Sequence, residues 1–571
     1  MTRTAGRLVL GGVFVVTAAT VSAQPVPLTL ADATARALER LPEVAIQRDA
    51  IAIAAQGETR AEAAYDSVLR IDSRVRTRTD PNNFILVGAP EGALAPRTNS
   101  VQGGVGWSRL FESGATVTAT ASTSLETTNG LFFLLTPAYF TTVGVEVRQP
   151  LLAGRRMDPQ RRALKVSALD VSRSRAALEH LVAETVAAVE RAYWAVQATA
   201  DDVRIRERSL ALAEAQREDT KIRIDAGIAA EAELAAPQAE IARRRADLVR
   251  AHDEAGRADI ALRQLVSGTA DSPAWSMAFE LTDAPPAALA MEPVDALVKD
   301  ALTQRPELTD IDAAREIAEL DTALARERAR TQLDLVAAYN LRGLAGRENP
   351  DLFVPFPGAN VTVPDGLLGG YDDSLQNLAT HRFADVYVGI SMVLPIGRRA
   401  AKADVVVATL AERRTALLRD QIAQRIAAEV RTAAAVLGAA RERLDAATAL
   451  ESASTDLLAA EQARFETGQS SNFFVLTRQT ELAQASLTLT AARIEVARAS
   501  TELLRATGRL LERRGIALDA PPAPAPAPPG SSHAVPSPGT AWPSRTSAFG
   551  TATDRTMSQG AWPVAPKGNA R

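Results

Sequence analysis

The chain has 571 residues, of which 46% are hydrophobic and only 4% are aromatic, and its formal net charge is −4. A low aromatic content with many alanine, leucine, arginine and glutamate residues indicates long packed helices rather than several conventional globular cores. The slight negative charge gives no indication of nucleic acid binding, and the absence of cysteine excludes disulfide frameworks and attachment of lipid through an N-terminal cysteine.

The two ends of the chain differ from the rest. An apolar run at 8–19 follows two arginines, and small residues that resemble a cleavage site end at Ala23. This pattern predicts a secretory signal peptide over 1–23, with a buried N-terminal helix as the alternative. The Pro-, Ala- and Ser-rich stretch 517–571 has too few apolar residues to build a core and is predicted to be a disordered tail.

The sequence between these ends is duplicated. One constant offset aligns Pro42 with Pro306, and a second constant offset aligns Gly227 with Gly468. Each offset holds for several neighbouring positions and in the same order, which indicates tandem repeats. We therefore predict a first repeat at 24–267, a linking segment at 268–290 and a second repeat at 291–516.

Each repeat is predicted to open with a helix of about 40 residues. In the first repeat Thr29 and Asp32 are placed as at the start of a capping box. A strand follows at 69–78, because apolar and polar residues alternate there with a period of two, and 333–342 alternates in the same way in the second repeat. The polar face of the first strand carries Arg70, Asp72, Arg74, Arg76 and Arg78.

Further strands are predicted from the same alternation. An additional pair, 101–111 and 115–125, occurs only in the first repeat, and a returning strand leads into Pro150 in the first repeat and Pro395 in the second. One such strand also fits the edge of a soluble sandwich, but the set favours a contribution to a transmembrane β-barrel with short turns on one side and long loops on the other. The predicted long loops are 81–99, 127–138 and 346–382. Aromatic residues in or near them suit a membrane interface: Phe132, Phe133, Tyr139, Phe140, Phe353 and Phe356.

Two long helical hairpins follow the strands. Val182 and Val189 belong to a series of apolar residues that recur every seven positions, which is typical of a coiled coil. Helices are predicted at 158–226 and 230–267, and Gly468 predicts the turn between the corresponding helices of the second repeat. A soluble coiled-coil rod is the alternative for the helices alone, but it does not account for the strands.

The combination resembles the TolC-like outer-membrane efflux protein family. The resemblance rests on the "LPE" and "RPE" helices, on 143–156 with its counterpart 388–399, and on the turn sequence 464–476. It implies a mixed α and β membrane protein, a homotrimer whose protomers share one β-barrel that a long α-helical coiled-coil tunnel continues across the periplasm. Barrels of this family usually take two strands from each half, whereas this chain offers between four and six strands in total.

The resemblance also implies a function. Family members are passive exit ducts for efflux or secretion in the outer membrane, in contact with its lipid. They dock onto a periplasmic adaptor protein and an inner-membrane pump of the RND, ABC or MFS type. The alternative is a structural or adhesive envelope protein that uses coiled coils as a spacer. The sequence shows no catalytic, nucleotide-binding or metal-binding constellation, so we expect neither an enzyme nor a cofactor.

Three groups of residues are candidate functional sites. In the family, acidic side chains beyond the turn glycine close the far end of the tunnel, which here implies a gate formed by Glu231, Glu233 and Phe474. The turns form the expected adaptor-docking tip: Arg223, Gly227, Arg464, Phe465 and Gly468. The barrel lumen is expected to be lined by Arg70, Asp72, Arg74, Arg76 and Arg78 and to favour anions, because rings of charge bias permeation.

Each of these assignments has an alternative. Glu231 and Glu233 also suit the first turn of a helix, and Pro237, if it lies beyond that turn, is expected to kink the helix. The arginines of the strand face alternatively pair with an acid on a neighbouring strand, such as Glu146. Arg223 and Arg464 are the cations expected to offset the charge of Glu233.

Overall fold

The computed structural model describes residues 26–79, 90, 93, 95–227, 230–285, 292–354, 358 and 361–518. The predicted signal peptide, Phe356 and nearly all of the predicted tail lie outside the described residues.

Most of the described chain is helical. The helices are α1 (Leu30–Arg40), α2 (Pro42–Glu62), α3 (Pro159–Asp225), α4 (Ala235–Ser267), α5 (Val294–Gln304), α6 (Pro306–Arg328), α7 (Tyr371–Ala379), α8 (Arg399–Glu466), α9 (Asn472–Ala506) and α10 (Leu510–Arg513). None of the helices among the described residues combines the length and the apolar character needed to cross a membrane.

Six of the strands form one antiparallel sheet. The strands are β1 (Val26–Leu28), β2 (Val68–Thr79), β3 (Arg97–Leu110), β4 (Thr116–Thr128), β5 (Leu135–Pro150), β6 (Phe279–Leu281), β7 (Gln332–Glu348) and β8 (Phe383–Val393). The large sheet has the order β2-β3-β4-β5-β7-β8, and β1 pairs with β6 in a separate parallel pair. Within the described residues β2 and β8 each pair on one side only, so the sheet is open at both edges.

The duplication is visible in the element boundaries. The offset that aligns Pro42 with Pro306 also superimposes both ends of α1 on those of α5, and the offset that aligns Gly227 with Gly468 superimposes the end of α3 on the end of α8. The extra strand pair of the first repeat is confirmed as β3 and β4, and in the described part of the second repeat β8 is the next strand after β7.

The opening helix of each repeat is broken, and the prediction of one continuous helix is wrong. The breaks lie at Leu41 and Arg305, whose backbones are extended, and Pro42 and Pro306 then start α2 and α6. A proline at the first helical position is favourable in itself, but its ring disfavours helical geometry in the residue before it. The helix therefore restarts at each proline with a change of direction.

The long helices carry the core. In α3 the heptad residues Val182 and Val189 are fully buried. In α8 Val430, which aligns with Val189, is fully buried, and so is Leu437 one heptad further on. Alanines fill much of the remaining contact surface, which lets long helices approach closely. The coiled-coil prediction is confirmed for both repeats.

Candidate functional site

The two helical hairpins reverse direction at glycines. Gly227 follows α3 with φ 72°, and Gly468 follows α8 with φ 74°. At the second turn the N–H of Gln469 donates to the carbonyl of Arg464 at 2.8 Å, which is the closing hydrogen bond of a Schellman motif. Ser471 precedes α9 with an extended backbone, and its side chain does not cap the helix.

The two turns are joined to each other, and together they form one end of the helical region, which we call the tip. The guanidinium of Arg223 lies 4.0 Å from the ring centroid of Phe465. Asn472 is buried and donates to the hydroxyl of Thr220 at 2.9 Å. These contacts connect the end of α3 to the end of α8 and the start of α9, so the tip behaves as one unit with exposed Arg464 on its surface.

The gate candidates are exposed in the protomer. Glu231 and Glu233 lie in a single 3-10 turn before α4, where the carboxylate of Glu233 accepts from the N–H of Ala230 at 3.5 Å. Phe474 is 52% exposed, and its ring makes an edge-on contact with Phe473 at 5.7 Å. Among the described residues no hydrogen bond or ring contact joins Glu233 to Phe474.

Within the protomer, two expectations about this segment can be compared with the structure. The guanidinium of Arg223 bonds the carboxylate of Asp219 at 2.9 Å and stacks on Phe465, so Arg223 does not contact Glu233 of its own chain. Pro237 does not kink a helix, because α4 begins at Ala235 and the proline lies in its first turn, where the backbone nitrogen needs no partner.

A buried arginine that was not predicted from the sequence lies behind the tip. Arg244 on α4 is 5% exposed and bonds Glu240 at 2.8 Å within its own helix. Its guanidinium also donates to the carbonyl of Ser209 on α3 at 2.6 Å and to the hydroxyl of Thr480 on α9 at 3.1 Å. Burial acts to raise the pKa of Glu240, but the hydrogen bonds from its arginines hold that pKa below its ordinary value. Arg244 lies on the same buried face of α4 as Pro237 and Ile241. Its helical spacing from these two residues is the feature of the sequence from which its burial could have been predicted.

A second charged cluster lies at the far end of α9. Arg505 donates to Glu502 on its own helix, to Glu184 on α3 and to Glu429 on α8. The hydrogen bond from Arg505 is the main cause of the lowered pKa of Glu502. One guanidinium thus fixes three long helices relative to one another.

The sheet has one polar and one apolar face. The register places Arg70, Asp72 and Arg74 on the same face as Thr120 and Ser122 of β4. This face is concave: it encloses a cleft of about 680 Å³ lined by Arg70, Asp72, Arg74, Gln102, Thr120 and Ser122, among others. The opposite face is apolar and exposed, as at Ile71, Val75, Val388 and Ile390. A sheet that curves around its polar face is the arrangement found in a barrel with an aqueous lumen.

The alternative pairing of the strand arginines with Glu146 is wrong. The neighbour of β2 is β3, and Glu146 lies on β5, where it accepts from the hydroxyl of Tyr387 at 3.2 Å. Another arginine of the polar face does form an ion pair, because the guanidinium of Arg148 lies 3.2 Å from the carboxylate of Asp334. Within the described residues Arg70, Arg74 and Arg76 have no acidic oxygen within 4.0 Å. Their charge is therefore available to the cleft.

Comparisons with known proteins agree with this architecture. Residues 116–268 match the family model described as outer membrane efflux protein. The solved structure of the outer-membrane channel OprN has 16% identity, a TM-score of 0.57, and coverage of 84% of this chain and 89% of that chain. VceC from Vibrio cholerae has 13% identity and a TM-score of 0.57, with coverage of 84% and 96%. CmeC from Campylobacter jejuni has 12% identity and a TM-score of 0.56, with coverage of 84% and 86%. No curated protein matches the chain in sequence.

The fold is that of the outer-membrane channel proteins. The resemblance that the sequence indicated, to the TolC-like outer-membrane efflux protein family, is confirmed. The predicted fold class is confirmed with it, and the description of the family model that matches 116–268 agrees with the predicted location in the outer membrane.

Proposed function

We propose that the protein is a passive exit duct for efflux or secretion that works as a homotrimer, docked at its tip to a periplasmic adaptor and an inner-membrane pump of the RND, ABC or MFS type. The repeats at 24–267 and 291–516 each supply part of the wall and one helical hairpin. The duct is not an enzyme, and its energy comes from the pump.

The open sheet is the observation that carries this proposal. A membrane barrel needs at least eight strands and a closed ring of hydrogen bonds, whereas one protomer supplies six strands and two unpaired edges. Strands from several chains therefore have to close the wall. The exposed apolar face then meets lipid and the concave polar face lines the lumen. A structural or adhesive spacer needs the long helices but has no use for such a sheet.

The tip is proposed as both gate and docking surface. Three copies of Glu233 and Phe474 that converge on the threefold axis narrow the end of the tunnel, with an acidic ring and an apolar ring. The docking surface is the outside of the same turns, at Gly227, Arg464 and Gly468. Because Arg223 and Phe465 hold the two turns together, an adaptor that moves one turn also moves the other.

Deletion of the gene followed by complementation tests this proposal. The deletion strain is screened against antibiotics, dyes, metals and secreted proteins, and the full chain is expected to restore the lost resistance or secretion. Arg464→Glu reverses a charge on the exposed tip, whereas Arg414→Glu reverses an exposed charge on the same helix far from the tip. We expect the control variant to complement and the tip variant to fail while both form cross-linkable trimers.

Two results would overturn the proposal. One is a deletion strain that is unchanged across the whole panel although neighbouring genes encode an adaptor and a pump. The other is a purified protein that conducts ions as a stable monomer.

A further inference from the structure

We propose that the trimer forms a barrel of eighteen strands, in which the hairpin β3–β4 of each protomer is an inserted wall segment that admits solutes too bulky for a barrel of twelve. The inference rests on the proposed trimer and goes beyond it, because it concerns the width of the channel and the element that sets this width.

The hairpin is an insertion relative to the chain's own second repeat. The offset that aligns Pro42 with Pro306 also places the start of β2 on the start of β7, and both β5 and β8 lead through a proline into a long helix, α3 or α8. Between β7 and β8 the second repeat has the short helix α7 but no additional strand among its described residues. Between β2 and β5 the first repeat has β3 and β4. An even number of added strands keeps the antiparallel alternation, so the insertion leaves the rest of the wall unchanged.

The hairpin is a full member of the sheet. β3 pairs with β2 from Val68 to Thr79 without a register shift, and β4 pairs with β5 from Thr116 to Glu126. In this register Arg70 lies beside Gly106, Thr120 and Gly144 in successive strands, so polar positions stay on one face across the insertion. A hairpin that folded away as an external loop would not share the concave cleft with β2, whereas Thr118, Thr120 and Ser122 line it.

The inserted strands line the lumen with small uncharged groups. Except for Leu110 at the end of β3, this face of the hairpin carries small or polar residues: Thr98, Ser100, Gln102, Gly104, Gly106, Ser108, Thr116, Thr118, Thr120, Ser122, Ser124, Glu126 and Thr128. Glu126 is the one charged side chain in that set, and glycines and hydroxyls occupy little volume. The other face presents apolar side chains such as Val101 and Val105, which are exposed in the protomer and suit lipid.

Strand number fixes the width of a barrel. Three copies of a six-stranded sheet give eighteen strands. With strands about 4.8 Å apart and tilted by about 40°, the backbone diameter is about 36 Å, against about 24 Å for twelve strands. The area enclosed by the wall is then about twice as large. Since the added sectors carry hydroxyl groups, they widen the path without adding to the positive charge of β2.

End-on electron microscopy of the detergent-solubilised full-length trimer measures this width. We expect a barrel of about 36 Å, and a variant that lacks 98–128 is expected to shrink to about 24 Å. The same pair is compared in planar bilayers with polyethylene glycols of increasing size added on the outer side. The channel of the deletion variant is expected to exclude polymers that are still small enough to enter the full-length channel. A full-length trimer with the width of a twelve-stranded barrel overturns the inference, whereas a full chain that is not a trimer overturns the proposed function instead.

Thiol labelling tests the same inference in chains of full length. The inference can therefore be tested even if the shortened chain misfolds. The chain has no cysteine, and Thr120 and Ala121 are adjacent, exposed and on opposite faces of β4. A bulky membrane-impermeant thiol reagent is expected to label Thr120→Cys and lower its conductance, and to leave Ala121→Cys in a bilayer unlabelled. Equal labelling of both variants, or of neither, shows that the hairpin does not separate lumen from lipid and overturns the inference.

Discussion

Arg244 shows how a single side chain organises the tip. Arg244 is buried between α3, α4 and α9. Its guanidinium donates to carbonyl, hydroxyl and carboxylate acceptors of the protein in place of water. A buried cation of this kind is costly unless every donor has a partner, and the surrounding helices supply those partners.

Replacement of Arg244 by methionine is expected to loosen α4 from its neighbours. The loss leaves buried acceptors unsatisfied, which costs about 1–3 kcal/mol and lowers the thermal midpoint of the helical circular dichroism signal. Arg243→Met is the matched control, because Arg243 also bonds Glu240 but is largely exposed, so its loss is expected to cost less than about 1 kcal/mol. Equal shifts for the two variants would contradict the role given to Arg244.

The proposed gate is also tested at single residues. The double variant Glu233→Ala with Phe474→Ala removes both the acidic and the apolar ring, and we expect a marked rise in single-channel conductance of the purified trimer. Phe473→Ala is the control, because Phe473 is 65% exposed on the same turn and is not assigned to the gate. An unchanged conductance in the double variant would remove these residues from the gate.

At the scale of elements, the turn glycines matter for their backbone geometry. Gly468 has φ 74°, and a methyl group added there would meet no atom within 4 Å. The cost of Gly468→Ala is therefore purely conformational, about 1–2 kcal/mol.

Gly57→Ala provides the opposite case. Gly57 lies inside α2 and also has open space around it, so alanine there is expected to stabilise by about 1 kcal/mol. Thermal midpoints of the two variants should thus move in opposite directions. If Gly468→Ala stabilised the protein, the turn would not require a residue with a left-handed backbone conformation at this position.

The elements differ in how well the sequence predicts them. The long helices and the strands were predictable because their periodicity of seven or two extends over many residues, as in α3 and β2. The breaks at Leu41 and Arg305 were missed, although each precedes a proline, because the apolar pattern continues across them. Helix α7 and strand β6 were missed because short elements depend on tertiary contacts, such as the hydrogen bond between Thr141 and the carbonyl of Ser374.

The candidate sites were predictable only in part. Gly227 and Gly468 indicate the turns, and alternation indicates the polar face. Arg223 stacks on Phe465, and Arg244 donates a hydrogen bond to Thr480; both partners belong to the second repeat, whereas both arginines belong to the first. Sequence spacing contains no information about such contacts, and for that reason the cation–ring stack and the buried arginine emerged only from the structure.

At the scale of the whole molecule, the arginines of β2 are expected to set ion selectivity. In the proposed trimer, nine guanidinium groups from Arg70, Arg74 and Arg76 share the polar face of β2 with only three carboxylates of Asp72. We expect reversal potentials in a salt gradient to show preference for anions.

The triple variant Arg70→Gln, Arg74→Gln, Arg76→Gln is expected to lose that preference and to keep its trimer. Arg414→Gln, an exposed arginine of α8 outside the sheet, serves as the control and is expected to retain it. Cation selectivity of the unmodified trimer would contradict the assignment of the polar face to the conducting path.

The two open edges of the sheet have a consequence for how the protein is made. An unassembled chain exposes unpaired backbone groups along β2 and β8, together with apolar side chains such as Ile71 and Ile390, and edges of this kind recruit any other strand they meet. In the proposed trimer, closure of the wall pairs both edges and covers the apolar side chains, so most of the stability of the sheet is gained only when the third chain is added. The yield of folded protein should therefore depend steeply on the local concentration of newly delivered chains. In the cell, a shortage of escort proteins in the periplasm is expected to reduce this protein more than it reduces barrels that close within one chain.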